Sequence, residues 1–304
     1  MTGRCLAIGE CMIELSPAKD GHFAMGFAGD TFNTAWYLKR LVGAAMDVAY
    51  LSAVGDDTPS VAMSAFMEQS GIRPELTVQR GGHAGLYMIS LKDGERSFSY
   101  WRDTSAARTL ADDLTSLPGV GTGDTAFFSG ITLGVLPDQG RTRLLSVLAQ
   151  ARADGVRVVF DPNLRPRLWA DADEMRHWIS EGAKVADIAL PSYEDEAEVF
   201  SDASKEATAK RYSDAGAGIV IVKDGPGPVL ITDGAVRAEV TPESVLRPVD
   251  TTAAGDAFNA GVLAGLDAGF TLDKAVRCGC RVSARVIAAP GALVDIPELS
   301  ALVG

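Results

Sequence analysis

Asp250-Thr251-Thr252-Ala253-Ala254-Gly255-Asp256-Ala257-Phe258-Asn259-Ala260-Gly261 is the stretch on which the reading of this chain turns. It runs from a short apolar strand end through small residues into a helical pattern over 257–268. The first N–H groups of a helix have no intrahelical acceptor, so such an opening can hold an anion. Asp256 stands in the same turn. A carboxylate beside an anion hole is electrostatically awkward for binding and suited to taking a proton. A Gly-Asp pair alone is met more often as a helix cap. With the N–H groups of 253–255 as the hole and Asp256 as base, the stretch describes a phosphoryl-transfer site.

The remainder of the chain narrows the field. Its 304 residues are enough for a large α/β core. Lys and Arg number 28 against 40 Asp and Glu, a formal charge of −12, which gives no general attraction to nucleic acid or anionic membrane. A phosphate ligand must therefore be held locally, by helix N-termini, Lys or Arg and a metal ion. No apolar run of 18 residues and no signal-peptide pattern is present, so a soluble, cytoplasmic protein is expected. Cys5, Cys11, Cys278 and Cys280 make no zinc spacing with His22, His83 or His177 and read as buried thiols.

Strand patterns over 4–9, 48–54, 126–129, 157–160, 188–190 and 218–222 alternate with helical stretches such as 32–41, 139–152 and 203–215. That rhythm implies a parallel sheet covered on both faces. Gly26-Phe27-Ala28-Gly29-Asp30 reads as a glycine-rich break before the first helix, and Thr58-Pro59 as a helix start. One segment departs from the rhythm. Lys92-Asp93-Gly94-Glu95 separates two alternating runs, a strong hairpin signal. A two-residue turn at Asp93-Gly94 pairs Leu91 with Arg96, Ile89 with Phe98, Tyr87 with Tyr100 and Gly85 with Arg102. Tyr87, Ile89, Phe98, Tyr100 and Arg102 then share one face, which suits a polar, anionic small ligand or packs on the protein itself.

Three separated segments together resemble the ribokinase-like (PfkB) family of sugar kinases. The 250–261 stretch resembles its C-terminal signature, Asp-Thr-x-Gly-Ala-Gly-Asp-x-Phe-x-x-Gly. Ala253 stands where the family most often has Gly, which a methyl tolerates unless a positive φ is required. Ala28-Gly29-Asp30-Thr31-Phe32-Asn33 resembles the N-terminal Gly-Gly-x-x-x-Asn sugar-binding turn, with Ala28 for the first Gly. Asp161-Pro162-Asn163-Leu164-Arg165 matches the central Asp-x-Asn-x-Arg. The resemblance spans essentially the whole chain. It implies one domain over 1–304: a Rossmann-type three-layer α/β sandwich with a mostly parallel central sheet, plus a small β-sheet lid from about 11–28 and 84–102. It also implies Asp256 as base, an anion hole from Ala253, Ala254 and Gly255, and sugar contacts from Gly29, Asp30 and Asn33.

Within the family, Gly9-Glu10-Cys11-Met12-Ile13-Glu14-Leu15, Gly85-Leu86-Tyr87, Tyr100-Trp101-Arg102 and Leu164-Arg165-Pro166-Arg167-Leu168-Trp169 are similar to the branch that phosphorylates 2-keto-3-deoxygluconate. That substrate carries a carboxylate, for which the planar fork of Arg is well matched. Arg102 and Arg165 are accordingly the candidates for it, with Tyr87 and Tyr100; Arg165 could alternatively steady the transferred phosphate or form a structural ion pair. Lys223-Asp224-Gly225-Pro226-Gly227-Pro228 resembles the family's nucleotide turn and implies ATP contacts from Lys223 and Gly225, joined by Ser192 and Gly255. The family's metal-organising Asn-x-x-Glu falls on Ser192-Tyr193-Glu194-Asp195-Glu196, where Asp195 or Glu196 could take the Glu role for Mg²⁺. A neighbouring K⁺ is also compatible with the family. No P-loop or dinucleotide turn is present. The rival readings are a kinase for the galactonate epimer or for fructose, a catalytically silent sugar-binding regulator and, remotely, a dehydrogenase. An exposed lid would leave strand edges and apolar residues that a homodimer, or a larger assembly of such dimers, could cover.

Overall fold

The structure, a computed structural model, describes residues 3–92, 95–234, 237–243, 245 and 247–301. In chain order the strands are β1 (Arg4–Ile8), β2 (Met12–Pro17), β3 (Phe23–Ala28), β4 (Asp47–Gly55), β5 (Arg73–Gln79), β6 (Leu86–Lys92), β7 (Glu95–Trp101), β8 (Thr125–Ser129), β9 (Arg157–Asp161), β10 (Ile188–Ala189), β11 (Ile219–Val222), β12 (Val229–Thr232) and β13 (Arg237–Val240). The helices are α1 (Asp30–Val42), α2 (Thr58–Gln69), α3 (Gly130–Val135), α4 (Asp138–Ala153), α5 (Ala172–Val185), α6 (Tyr193–Phe200), α7 (Lys205–Ala215), α8 (Ala254–Asp267) and α9 (Leu272–Val286).

Among the described residues, nine strands form one sheet in the order β13-β12-β11-β10-β9-β8-β1-β4-β5. From β5 to β11 every neighbouring pair is parallel. The alternation of side chains along β1 shows why both faces are covered. Cys5 and Ala7 enter a core shared with α1, α2, α8 and α9, while Leu6 and Ile8 enter a second core shared with α4 and α5. This is the expected three-layer α/β sandwich.

The departures are local and have identifiable causes. β5 was not expected, because Arg-Pro-Glu-Leu-Thr-Val-Gln is weakly apolar, and Pro74 suits it to the edge position that it occupies. The Gly/Pro turn after β11 reverses the chain, so β12 and β13 are antiparallel. The 26–28 stretch, read as a break, forms the end of β3.

β2, β3, β6 and β7 form a separate sheet in the order β3-β2-β6-β7. The β6–β7 register pairs Leu91 with Arg96, Ile89 with Phe98 and Tyr87 with Tyr100. The Asp93-Gly94 turn itself lies outside the described residues. Tyr87, Phe98 and Tyr100 form a ring cluster with centroids 6.0 to 6.3 Å apart.

α8 begins at Ala254, three residues before the expected start, because Ala253 takes the N-cap position with φ 60°. The condition placed on Ala253 is thus met in the unfavourable sense: a positive φ is required there. A left-handed Ala costs about 1–2 kcal/mol, while a Gly adds roughly 0.4–1 kcal/mol of unfolded-chain entropy. Ala253→Gly should therefore raise stability by up to about 1 kcal/mol, read as a higher urea midpoint. A lower midpoint would show that Ala253 is not held in the left-handed region.

Candidate active site

Parallel strands bring their carboxyl ends to one edge of the sheet, where the chain leaves each strand and helix N-termini converge. Here that edge and the small sheet enclose a cavity of about 1030 Å³. β1 delivers Glu10, β9 delivers Asp161 and Asn163, and β11 delivers Lys223. The N-termini of α1, α6 and α8 add Asp30 and Asn33, Asp195, and residues 253–256.

Asp256 lies in the first turn of α8, facing the cavity. The Asn33 amide donates to its Oδ2 at 2.8 Å, and Thr34 Oγ1 is 3.3 Å from its carbonyl oxygen. The first backbone bond of α8 runs from Ala257 N–H to the Ala253 carbonyl at 2.9 Å, so Gly255 and Asp256 contribute opening N–H groups ahead of it. Ala254 differs, since its N–H donates to the Thr251 carbonyl at 3.2 Å. The expected hole over 253–255 is thereby shifted toward Gly255 and Asp256.

Burial pushes the Asp256 carboxyl up to about 8, helped by the nearby Asp30 and Asp161 carboxylates and opposed by the Asn33 amide and the Lys223 ammonium. Raised above its usual 3.8, this group favours the folded state most at low pH, and its contribution is lost as pH rises through about 8. The base form follows the same titration. For the ligand-free enzyme, kcat/KM should climb with pH along a limb near 8. A limb near 4 would show that the carboxyl is not held in this environment.

Beneath the α8 opening, Lys223 Nζ sits 3.3 Å from both Asp161 carboxylate oxygens and 3.4 Å from Asn259 Oδ1. Asn259 in turn donates to Asp161 Oδ2 at 2.6 Å. Asn163, at φ 36°, donates to Asp30 Oδ2 at 2.9 Å. Burial raises the Asp30 carboxyl, against hydrogen bonds from Ser129, Thr31 and Asn163.

At the small-sheet end, Arg102 donates to Glu10 Oε2, and the Tyr87 hydroxyl donates to Glu14 Oε2. Glu10 is buried between two glycines. A Cβ on Gly29 would stand 2.2 Å from the Glu10 carbonyl oxygen, and one on Gly85 would stand 2.6 Å from Glu10 Oε1. Close approach, with Gly29 in extended backbone at φ 177°, is the reason for glycine at both places.

A family model for the pfkB family of carbohydrate kinases matches residues 2–299. The chain belongs to this family. It is 38% identical to a 2-dehydro-3-deoxygluconokinase of Dickeya dadantii, with 99% of this chain and 100% of that protein covered. A protein of the same name from Haemophilus influenzae is 36% identical, over 97% and 96% of the two chains. The crystal structure of Vibrio cholerae fructokinase in its fructose-, ADP- and calcium-bound form superposes with a TM-score of 0.86 at 24% identity, covering 99% of this chain and 98% of that one. The last likeness shows the fold.

As a pfkB kinase, the chain uses ATP with a divalent metal. The residues present suit such an ion, because a magnesium-type ion rides mainly on nucleotide phosphates and needs one or two protein carboxylates. Asp195 lines the cavity, 4.0 Å from Arg165. Glu196, the other candidate, turns away: it is buried against Arg211 and the Tyr212 hydroxyl, and burial raises its carboxyl to about 7. That alternative is corrected. Among the described residues no group of three or more His, Cys, Asp or Glu side chains gathers as a metal site.

Gly29, Asp30, Asn33, Tyr87, Tyr100, Arg102, Arg165, Ser192, Lys223 and Ala253 through Asp256 all line the one cavity in this pfkB kinase. Gly225 does not; with φ 50° it serves the turn between β11 and β12. Lys223 reaches the cavity wall, but its ammonium is engaged by Asp161 and Asn259 rather than extended toward a nucleotide. Sequence reasoning missed Glu10, Asp161, Asn163 and Asn259 as site residues. All four stood inside quoted motifs, and the signal for Glu10 was its pairing with an otherwise unexplained Gly85.

Proposed function

We propose that this pfkB kinase phosphorylates 2-keto-3-deoxy-D-gluconate on its C6 hydroxyl, giving the 6-phosphate and ADP. The carrying observation is the co-location of Asp256 with Arg102, Tyr87 and Arg165 around one cavity. The relatives named 2-dehydro-3-deoxygluconokinase, at 36–38% identity over nearly full length, support the same substrate.

In this reading Asp256 takes the hydroxyl proton as the oxygen attacks the γ-phosphate in line. The N–H groups of Gly255 and Asp256 stabilise the transferred phosphoryl oxygens. Lys223 neutralises Asp161 beside them. Asp195 would be the protein carboxylate that holds a nucleotide-bound Mg²⁺, which would supply charge neutralisation at the phosphates, and K⁺ would be the neighbouring monovalent ion. Gly29, Asp30 and Asn33 hold the sugar body. Arg102, Tyr87 and Tyr100 meet its acid end from the small sheet, which acts as the lid of a single-domain kinase and excludes water. Arg165, half-exposed and only 4.0 Å from Asp195, can serve the carboxylate or the phosphate. Ser192 belongs to the ATP side, and the enzyme is cytoplasmic.

The test is ADP release from Mg-ATP with 2-keto-3-deoxygluconate, its galactonate epimer, fructose, ribose and gluconate. A strong preference for the first is expected. Preference for fructose or ribose would keep the phosphoryl-transfer chemistry and overturn the acid-binding role of the small sheet.

The same proposal includes a homodimer through the lid. The register puts Leu15, Phe23, Met25, Leu86, Met88 and Trp101 on the face opposite Tyr87. Phe23, Met25 and Trp101 are each about half exposed there, a large apolar surface for a monomer. Light scattering at micromolar concentration should give twice the chain mass or a multiple of it, and Trp101→Glu should shift it toward the monomer. A native monomer would overturn the dimer.

A further inference from the structure

One face of α1 touches both the β9 loop and the catalytic turn of α8. Asp30 meets Asn163, Asn33 holds the Asp256 carboxylate, and Thr34 reaches the Asp256 carbonyl. One turn further, at the same helical spacing, stands Tyr37, fully buried. Its hydroxyl donates to the Ala292 carbonyl at 2.7 Å and accepts from the Val294 N–H at 3.1 Å. Gly291 N–H donates to Asp250 Oδ2 at 2.7 Å. The 291–294 segment is thus tied to α1 on one side and to the start of the 250–261 stretch on the other. Ala292 itself lines the cavity. It packs with Met12, Tyr87 and Ile89 of the small sheet and with Ala253.

We propose that Tyr37 is a positioning residue that couples the small sheet to the catalytic turn. A sugar acid that presses Met12 and Tyr87 onto Ala292 loads a segment whose backbone is anchored through Tyr37 to the helix that also holds Asp256. The hydroxyl supplies both of the hydrogen bonds that tie this segment to α1. Tyr37 touches no substrate and acts through Ala292 and α1. The kinetic part of the test rests on the proposed sugar-acid kinase activity, whereas the exchange part does not.

Tyr37→Phe removes one oxygen and keeps the buried ring. In the ligand-free protein, amide exchange should quicken by roughly tenfold not only at 291–294 but also at 254–258 and in β2 and β6, because two buried hydrogen bonds are lost. Quickening confined to 291–294 would overturn the coupling. In turnover, well below the melting temperature of either protein, KM for the sugar acid should rise about tenfold, with KM for ATP changed less than twofold. Equal changes in both constants, or none, would overturn it as well, whatever the loss of thermal stability. Ala292→Gly leaves both Tyr37 bonds and removes the methyl contact, so it should raise the sugar-acid KM in the same direction by a smaller factor. An unchanged value in that variant would also count against the proposal. A native enzyme that turns over no sugar acid would instead sink the proposed function, leaving the exchange pattern to decide the role of Tyr37.

Discussion

Asp256→Asn leaves a folded protein whose turnover falls by about 10² to 10⁴, the usual range for losing a general base. The amide cannot accept the hydroxyl proton, yet it fits the same space and can orient its oxygen toward the Asn33 amide that now donates to Oδ2. Binding of nucleotide and sugar should change little. Stability should move the other way, because the variant removes a carboxyl that burial and two neighbouring carboxylates hold up to about 8. Above that pH the native protein carries an ionised, poorly solvated group that the variant lacks. The measurement is kcat with Mg-ATP alongside a urea transition at pH 8.5. Near-normal kcat would overturn the base assignment, and an unchanged or lower midpoint would contradict the electrostatic account of the site.

Lys223→Met is expected to cost about 3–5 kcal/mol of stability, since it strips the partner from a buried carboxylate. The two side chains are 11% and 5% exposed, and among the described residues Asp161 would keep the Asn259 amide and the Asn163 backbone N–H as donors. For a chain of this size the melting temperature should drop by roughly 6–15 °C. Activity should fall too, because a positive charge beneath the α8 opening disappears just where phosphoryl oxygens would gather. The double variant Lys223→Met with Asp161→Asn separates the two effects. It should recover much of the stability and little of the activity. Recovery of both would mean that Lys223 serves only the fold.

The layered sheet was legible because its strands are short apolar runs spaced by amphipathic helices, and β8 and β9 need no partner to be recognised as buried. The hairpin register was legible for a related reason: Asp93-Gly94 fixes which residues oppose which. β5 and β13 were not, since their polar residues do not stand out from loop sequence, and the apolar run of β12 is only four residues long behind a Gly/Pro turn. In the site, Asp256, Asn33 and Arg102 announced themselves through motifs. Their pairing did not, because Asn33 and Asp256 lie 223 residues apart and no local pattern joins them.

The family, the parallel sheet and the type of chemistry are legible along the chain, because small residues before a helix and an acid in its first turn carry their function locally. Folding alone disposed the charges. It turned Glu196 away from the cavity and left Asp195 facing it, placed Arg102 against Glu10, set the Lys223 ammonium on Asp161, and required the left-handed backbone at Ala253. Each of these depends on which groups share a buried volume, and that is settled by packing between distant segments, not by spacing along the chain.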